Sequence, residues 1–341
     1  MIEASDGDRA GWDDYVNSNT DAEPYHEYAW RNIFEQVLKA SCCYLQAVDE
    51  DGRIRGVLPL VQLKSRLFGN FLVSVPWFNY CGTLADDADV RDELVRAAWE
   101  AARAIGASHV ELRHRASTRL DLPYRDDKVA MQLALPASAD ELWAAFKPKL
   151  RAQIRRPGKE GAIVECGGVE LLDDFYAIFA RNMRDLGTPV FPKDLFLAML
   201  DTFPDATRIF VVRLGGEACA AGVTYGFRET LEIPSASTLR EFNRYSVNML
   251  LYWSVLKFAI KQGFRVFDFG RSTRDSGTYR FKRQWGAEPQ DLHWHYCLPP
   301  GQVPPKLNPD NPKFRLATRI WRRLPVSVAN LLGPAIVRNL P

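Results

Sequence analysis

The chain states one pattern twice, and that repetition limits its possible folds more than any other feature. Residues 44–60, Tyr-Leu-Gln-Ala-Val-Asp-Glu-Asp-Gly-Arg-Ile-Arg-Gly-Val-Leu-Pro-Leu, read as a strand, a tight Asp51-Gly52 turn and a second strand. Residues 209–227 do the same around Leu214-Gly215-Gly216-Glu217. Further strand candidates are 71–75 and 130–135 in the first half, and 223–227 and 231–235 in the second. Each half also has an amphipathic helix closed by a glycine and followed at once by a short strand. These are Val90–Ile105, Gly106 and 109–112, then Val247–Gln262, Gly263 and 265–269. Glycine just past a helix end suits the left-handed C-cap. The expectation is two copies of one α/β unit, with chance recurrence of common elements as the alternative.

A length of 341 residues leaves room for about two domains. The expected division is 1–145, 146–300 and a basic, Pro-rich and amphipathic tail, 301–341. An apolar share of 47% is enough for full cores, and no apolar run is long enough to span a bilayer. The first thirty residues are acidic and polar, unlike a secretory signal, so the cytosol is the expected compartment. The six cysteines form no C-x-x-C pair, and the five histidines form no H-E-x-x-H. His293 and His295 share a strand face but lack a third ligand, so no metal is expected.

Charge is unevenly placed. No acid follows Asp310, whereas Lys313, Arg315, Arg319, Arg322, Arg323 and Arg338 do, and the rest of the chain is net negative. Such a balance suits local contact with something anionic better than general nucleic-acid binding. Phe314, Ala317, Trp321 and Leu324 fall on one helical stripe flanked by these bases, with Pro325 expected to end the helix. Residues 326–334 read as a shorter apolar element capped by Gly333-Pro334. The tail either lies on an anionic membrane surface through 311–341 or packs on the protein body. A second basic stretch, Lys147–Lys159, carries six bases and one apolar edge, Leu150 and Ile154, with Pro157 expected to stop its helix. It is either a solvated connector or an anion cradle.

The most distinctive segment is Phe267-Asp268-Phe269-Gly270-Arg271-Ser272, followed by Gly277-Thr278-Tyr279-Arg280-Phe281-Lys282-Arg283-Gln284-Trp285-Gly286. It resembles the signature of FemAB-type acyltransferases, in which a strand ending Asp-Phe-Gly precedes Phe-Lys-x-x-aromatic-Gly. With residues 240–253, Arg-Glu-Phe-Asn-Arg-Tyr-Ser-Val-Asn-Met-Leu-Leu-Tyr-Trp, it resembles the FemAB-related branch associated with PEP-CTERM/exosortase systems, which accompany exopolysaccharide production. The resemblance covers about 147–296 and extends more loosely over 25–135. It implies two tandem GNAT-like domains with mixed central sheets. It also implies an N-acyltransferase acting on a cell-envelope or exopolysaccharide precursor, with acyl-CoA or aminoacyl-tRNA as donor substrate and no permanent cofactor. The acceptor would be a saccharide or lipid-linked precursor. One departure is that 239–248, where a pyrophosphate loop would lie, has no glycine.

Acyl transfer to an amine needs positioning and charge stabilisation more than a nucleophilic triad. Lys282 would supply positive charge beside a donor phosphate or the oxyanion, a surface lysine being the plain alternative. Asp268 would orient Arg271 or accept the amine proton, or simply cap a loop. Tyr279 would donate a hydrogen bond or stack, or fill the core. Arg271 and Arg274, with Arg151, Arg155 and Arg156 of the basic stretch, suit phosphate or carboxylate. Trp77, Asn79 and Tyr80 would meet the acceptor or form local core. Two other classes compete with the enzyme: a non-catalytic GNAT-like interaction protein, and an RNA binder using 147–159.

Overall fold

The computed structural model describes residues 1–65, 68–115, 118, 120–305 and 312–340, excluding the side chains of 312–314. The chain forms two compact units. The first comprises 1–129, 290–307 and 338–341, and the second 130–289 and 308–337. The expected boundary at 145/146 therefore falls inside the second unit.

In chain order the first unit contains β1 (Ile2–Glu3), α1 (Arg9–Ser18), α2 (Ala29–Gln36), β2 (Ser41–Val48), β3 (Ile54–Ser65), β4 (Gly69–Val73), β5 (Leu84–Ala85), α3 (Ala88–Ala104), β6 (Val110–Arg115) and β7 (Tyr124–Arg125). Strand β8 (Lys128–Ala134) carries the chain into the second unit. There follow α4 (Ala139–Ala145), α5 (Pro148–Lys159), β9 (Ile163–Gly167), α6 (Leu172–Leu186), α7 (Lys193–Thr202), β10 (Thr207–Leu214), β11 (Glu217–Phe227), β12 (Thr230–Thr238), α8 (Val247–Lys261), β13 (Val266–Thr273) and α9 (Gly277–Arg283). Strand β14 (Glu288–Cys297) leads back to the first unit, and α10 (Pro312–Trp321) and α11 (Val326–Val337) belong to the second.

Both halves have one topology. In the first, β2–β3 and β3–β4 are antiparallel hairpins, and α3 then crosses over so that β6 lies parallel to β4. In the second, β10–β11 and β11–β12 are antiparallel, and α8 crosses over to bring β13 parallel to β12. Gly52, Gly106, Gly216 and Gly263 all take positive φ, as the turn and cap readings require. The residues 223–227 are the end of β11 and not a separate strand.

Two prolines are tolerated where helix ends were expected. Helix α5 runs past Pro157 to Lys159, because the missing donor falls in the last turn and the Pro157 ring is buried. Helix α11 runs through Gly333-Pro334 to Val337. There Gly333 comes so close to Val190 that an added Cβ would lie 2.8 Å from the Val190 backbone nitrogen. The tail helices pack on α6: Arg184 donates to the Leu324 carbonyl at 2.7 Å, and Arg322 donates to the Leu186 carbonyl. Of the expected stripe, Trp321 and Leu324 are half-buried and Ala317 is not. Thr318 is half-buried as well; the side chain of Phe314 lies outside the described residues.

Histidines make the first unit sensitive to acid. The Thr83 amide donates to His114 Nε2 at 2.9 Å, so a neutral His114 carries its proton on Nδ1, 3.3 Å from His295 Nδ1. His26 Nδ1 accepts from the Glu23 amide, and its Nε2 then donates to the Gly82 carbonyl at 2.9 Å. Burial, followed by the charge of His295, holds His114 well below the ordinary imidazole range. Burial, then His293, pushes His295 down to about 4. The unfolded chain binds these protons near pH 6.5 and the folded chain does not. Their contribution is therefore complete above about pH 6.5 and is lost as pH falls below it, for His295 over the range down to about 4. Urea midpoints measured from pH 7.5 to 4.5 should fall, and His295→Phe should flatten the slope.

Candidate active site

In the second unit the parallel pair β12–β13 holds register for only three residues: Thr230 with Val266, Leu231 with Phe267, and Glu232 with Asp268. Beyond that point β12 continues to Thr238 and β13 to Thr273 without pairing each other. The cause lies in β12. Its register with β11 goes from Tyr225–Glu232 to Val223–Ser235, so Ile233 and Pro234 together face Thr224 as a β-bulge. A bulge bends its strand, and Pro234 has no amide to offer a ladder. Two strand ends that part in this way present backbone groups at the carboxyl end of a parallel pair, where α/β sheets bind ligands.

The last register pair sets two carboxylates at the fork, both buried. Asp268 accepts from the Gly270 amide at 2.6 Å and from Gln132 Nε2 at 2.9 Å. The first bond requires the backbone to turn back two residues later, and Gly270 does so with φ 74°. Helix α9, capped by Ser276 Oγ, brings Lys282 against this turn. Lys282 Nζ donates to the carbonyls of Gly270 at 3.0 Å and Arg271 at 2.9 Å, and the side chain is only 8% exposed. Burial pulls its pKa down to about 8 against the opposing pull of Asp268 and Glu232, while Arg271 adds to the fall. Aromatic rings support the helix: Tyr252 packs on Phe269, Phe281 and Trp285, and Phe146 meets Trp285 edge-on.

Of the residues singled out from sequence, Asp268, Arg271 and Lys282 come together here. Tyr279 stands one turn before Lys282 on α9 and is half-buried, and Arg274 is exposed in the turn between β13 and α9. Arg151, Arg155 and Arg156 stand on α5, which packs on α8, and Arg155 stacks over Trp143 at 4.9 Å. Trp77, Asn79 and Tyr80 lie in the first unit. There Tyr80 is buried beneath Arg115, and Phe34 packs on Trp77 at 5.3 Å. Sequence reading missed Glu232 and Gln132. The only local signal was a charged residue inside the apolar run Leu231-Glu232-Ile233. The absence of glycine before α8 also has a structural answer, since Ser246 itself adopts the left-handed turn at φ 61°.

The first unit closes the corresponding fork. Its parallel pair ends at Val73 with Glu111, the counterpart of Glu232 with Asp268. Two residues beyond Glu111, where the second unit has Gly270, stands Arg113. Its buried guanidinium donates to Glu111 at 2.8 Å and to the carbonyls of Val75, Pro76 and Phe78. The Ser74 amide donates to the Glu111 carbonyl, and the Arg113 amide donates to Ser74 Oγ, so stitching continues where the second unit opens.

The acetyltransferase (GNAT) domain family matches residues 144–283, which contain this fork and Lys282. Among solved structures, FemX is similar at a TM-score of 0.66 and 15% identity, over 86% of this chain and 97% of that one. The C-terminal domain of a lysylphosphatidylglycerol synthetase from Agrobacterium fabrum is similar at 0.56 and 15% identity, over 84% and 91%. A tandem GNAT protein from the clavulanic acid biosynthesis pathway is similar at 0.51 and 13% identity, over 86% and 95%. No curated protein matches the chain in sequence. The fold is thus that of two tandem GNAT-like α/β units, the second of which contains the segment matched by the acetyltransferase (GNAT) domain.

Proposed function

We propose that the chain is a FemAB-like N-acyltransferase that moves an acyl group from an acyl-CoA thioester to an amine on a cell-envelope or exopolysaccharide precursor. The observation that carries this reading is the fork at Glu232 and Asp268 with Lys282 against it, inside the segment matched by the GNAT family. The amine lone pair attacks the thioester carbonyl, a C–N bond forms, and an oxyanion develops. Lys282 and Arg271 supply positive charge for the oxyanion or the donor phosphates. A carboxylate of the fork, Asp268 or Glu232, takes the amine proton. The C–S bond breaks, and the leaving thiolate takes up a proton. The proposed acceptor is a saccharide or lipid-linked amine of the PEP-CTERM/exosortase kind. The sequence resemblance supports it, as does the likeness to a protein named for lysylphosphatidylglycerol synthesis.

A ligand that binds only the folded state raises its stability, by about 2.7 kcal/mol at a hundredfold its dissociation constant. Acetyl-CoA is expected to raise the melting temperature of the wild type. A rise with an aminoacyl-tRNA mimic alone would move the donor to that class. No rise with either would favour a non-catalytic interaction protein.

A further inference from the structure

The tail helices turn one side to α6 and leave the other uncovered. On α10 the half-buried positions are Thr318 and Trp321. At about 100° per residue, Leu316 and Ile320 point the opposite way, one turn apart. They are 55% and 54% exposed. Arg319 and Arg323 stand three residues after each of them, also exposed, and Arg315 precedes them. On α11 the buried stripe is Ala329, Gly333 and Val337, which leaves Leu331 78% exposed on the far side. Among the described residues no ion pair engages Arg315, Arg319 or Arg323, and no acid occurs anywhere in 311–341. A half-buried face toward the protein and an outward leucine–isoleucine ridge edged by arginines outside any ion pair make two different surfaces on one helix.

We propose that the outward face of α10, with Leu331 of α11, is a docking surface for anionic lipid. The ridge enters the boundary between headgroups and acyl chains while Arg315, Arg319 and Arg323 meet lipid phosphates. Charge complementarity selects this occupant. A second copy of the chain would bring the same uncompensated bases against one another, whereas an anionic bilayer neutralises them and accepts the apolar ridge. The two sequence alternatives for the tail are then not exclusive, since one side packs on the body and the other is left for the membrane. The proposal stands apart from the catalytic reading, because vesicle binding is read with no donor or acceptor present.

The test is co-sedimentation of the full chain with vesicles of equimolar phosphatidylcholine and phosphatidylglycerol, against vesicles of phosphatidylcholine alone. The full chain should sediment with the anionic vesicles at low salt, be released as salt rises, and ignore the neutral ones. Leu316→Glu/Ile320→Glu and Arg319→Glu/Arg323→Glu should each lose binding at an unchanged melting temperature. The expected loss is at least roughly fivefold for each arginine removed. Equal sedimentation of wild type and both variants would overturn the proposal, as would no binding by the wild type. A concentration-dependent dimer that Leu316→Glu dissociates, without any vesicle binding, would assign the face to a second copy. The salt series needs no variant and tests the electrostatic part directly.

Discussion

Arg113→Met should destabilise the first unit by about 3–5 kcal/mol, the usual cost of removing one partner from a buried ion pair. Arg113 is only 1% exposed, and its pair with Glu111 is shut away from water. Removing the guanidinium strands the Glu111 carboxylate, leaving it the Tyr296 hydroxyl at 2.9 Å as a neutral donor. It also frees the carbonyls of Val75, Pro76 and Phe78, which Arg113 gathers from a segment entered through a left-handed Val75, φ 56°. A β-branched residue there is strained and persists only when its surroundings hold it. Replacing both partners, as Glu111→Leu/Arg113→Met, should recover much of the loss, because no buried charge is then left alone. Urea unfolding of the two variants measures this. A single variant as stable as wild type would show that Arg113 does not close the first fork.

Lys282→Met should lower kcat/KM at least tenfold, about 1.4 kcal/mol of transition-state stabilisation, with a smaller effect on folding. Methionine keeps the stem but gives up the bonds to Gly270 and Arg271. The loss is partly offset because a buried ammonium is itself costly, as its pKa of about 8 records. The sign of the pH dependence separates the two roles. The folded lysine releases its proton near 8 and the unfolded one near 10.4, so the unfolded chain holds more protons between those values. Wild-type stability should therefore gain relative to Lys282→Met as pH rises from about 8 to 10, by about 1.4 kcal/mol per unit. If the cation serves the oxyanion, kcat/KM should fall over the same range. A wild-type rate in Lys282→Met would reduce the residue to a clamp on the Gly270 turn.

The structural difference between the two forks arises from single residues placed alike by one topology. Gly270 and Arg113 each stand two positions beyond a buried carboxylate at the end of a parallel pair. Glycine at that point lets the backbone fold back to Asp268 and turn its carbonyl to the Lys282 ammonium. Arginine fills its fork and ties it to the next segment.

Much of this was legible in the chain. Strand alternation, the Asp51-Gly52 and Gly215-Gly216 turns and the glycine caps at 106 and 263 are local signals, set within a few residues by backbone sterics, so they survive without tertiary information. For the same reason the Asp268-to-Lys282 block stood out, since its members lie on consecutive elements. Glu232 lies 36 positions before Asp268 and meets it only through the parallel register across α8. The bulge at Ile233-Pro234 exists only relative to β11, and the arginine plug only relative to the carbonyls of 75–78. The same limit explains the prolines: Pro157 and Pro334 read as stops from their own chemistry, but helices held by packing on a neighbour absorb one lost donor near their ends. Local sterics determined the elements and their repetition. Long-range pairing decided where Gly270 and Arg113 act, because a carboxylate's partners, and the edge a strand leaves free, are set by residues far away in the chain.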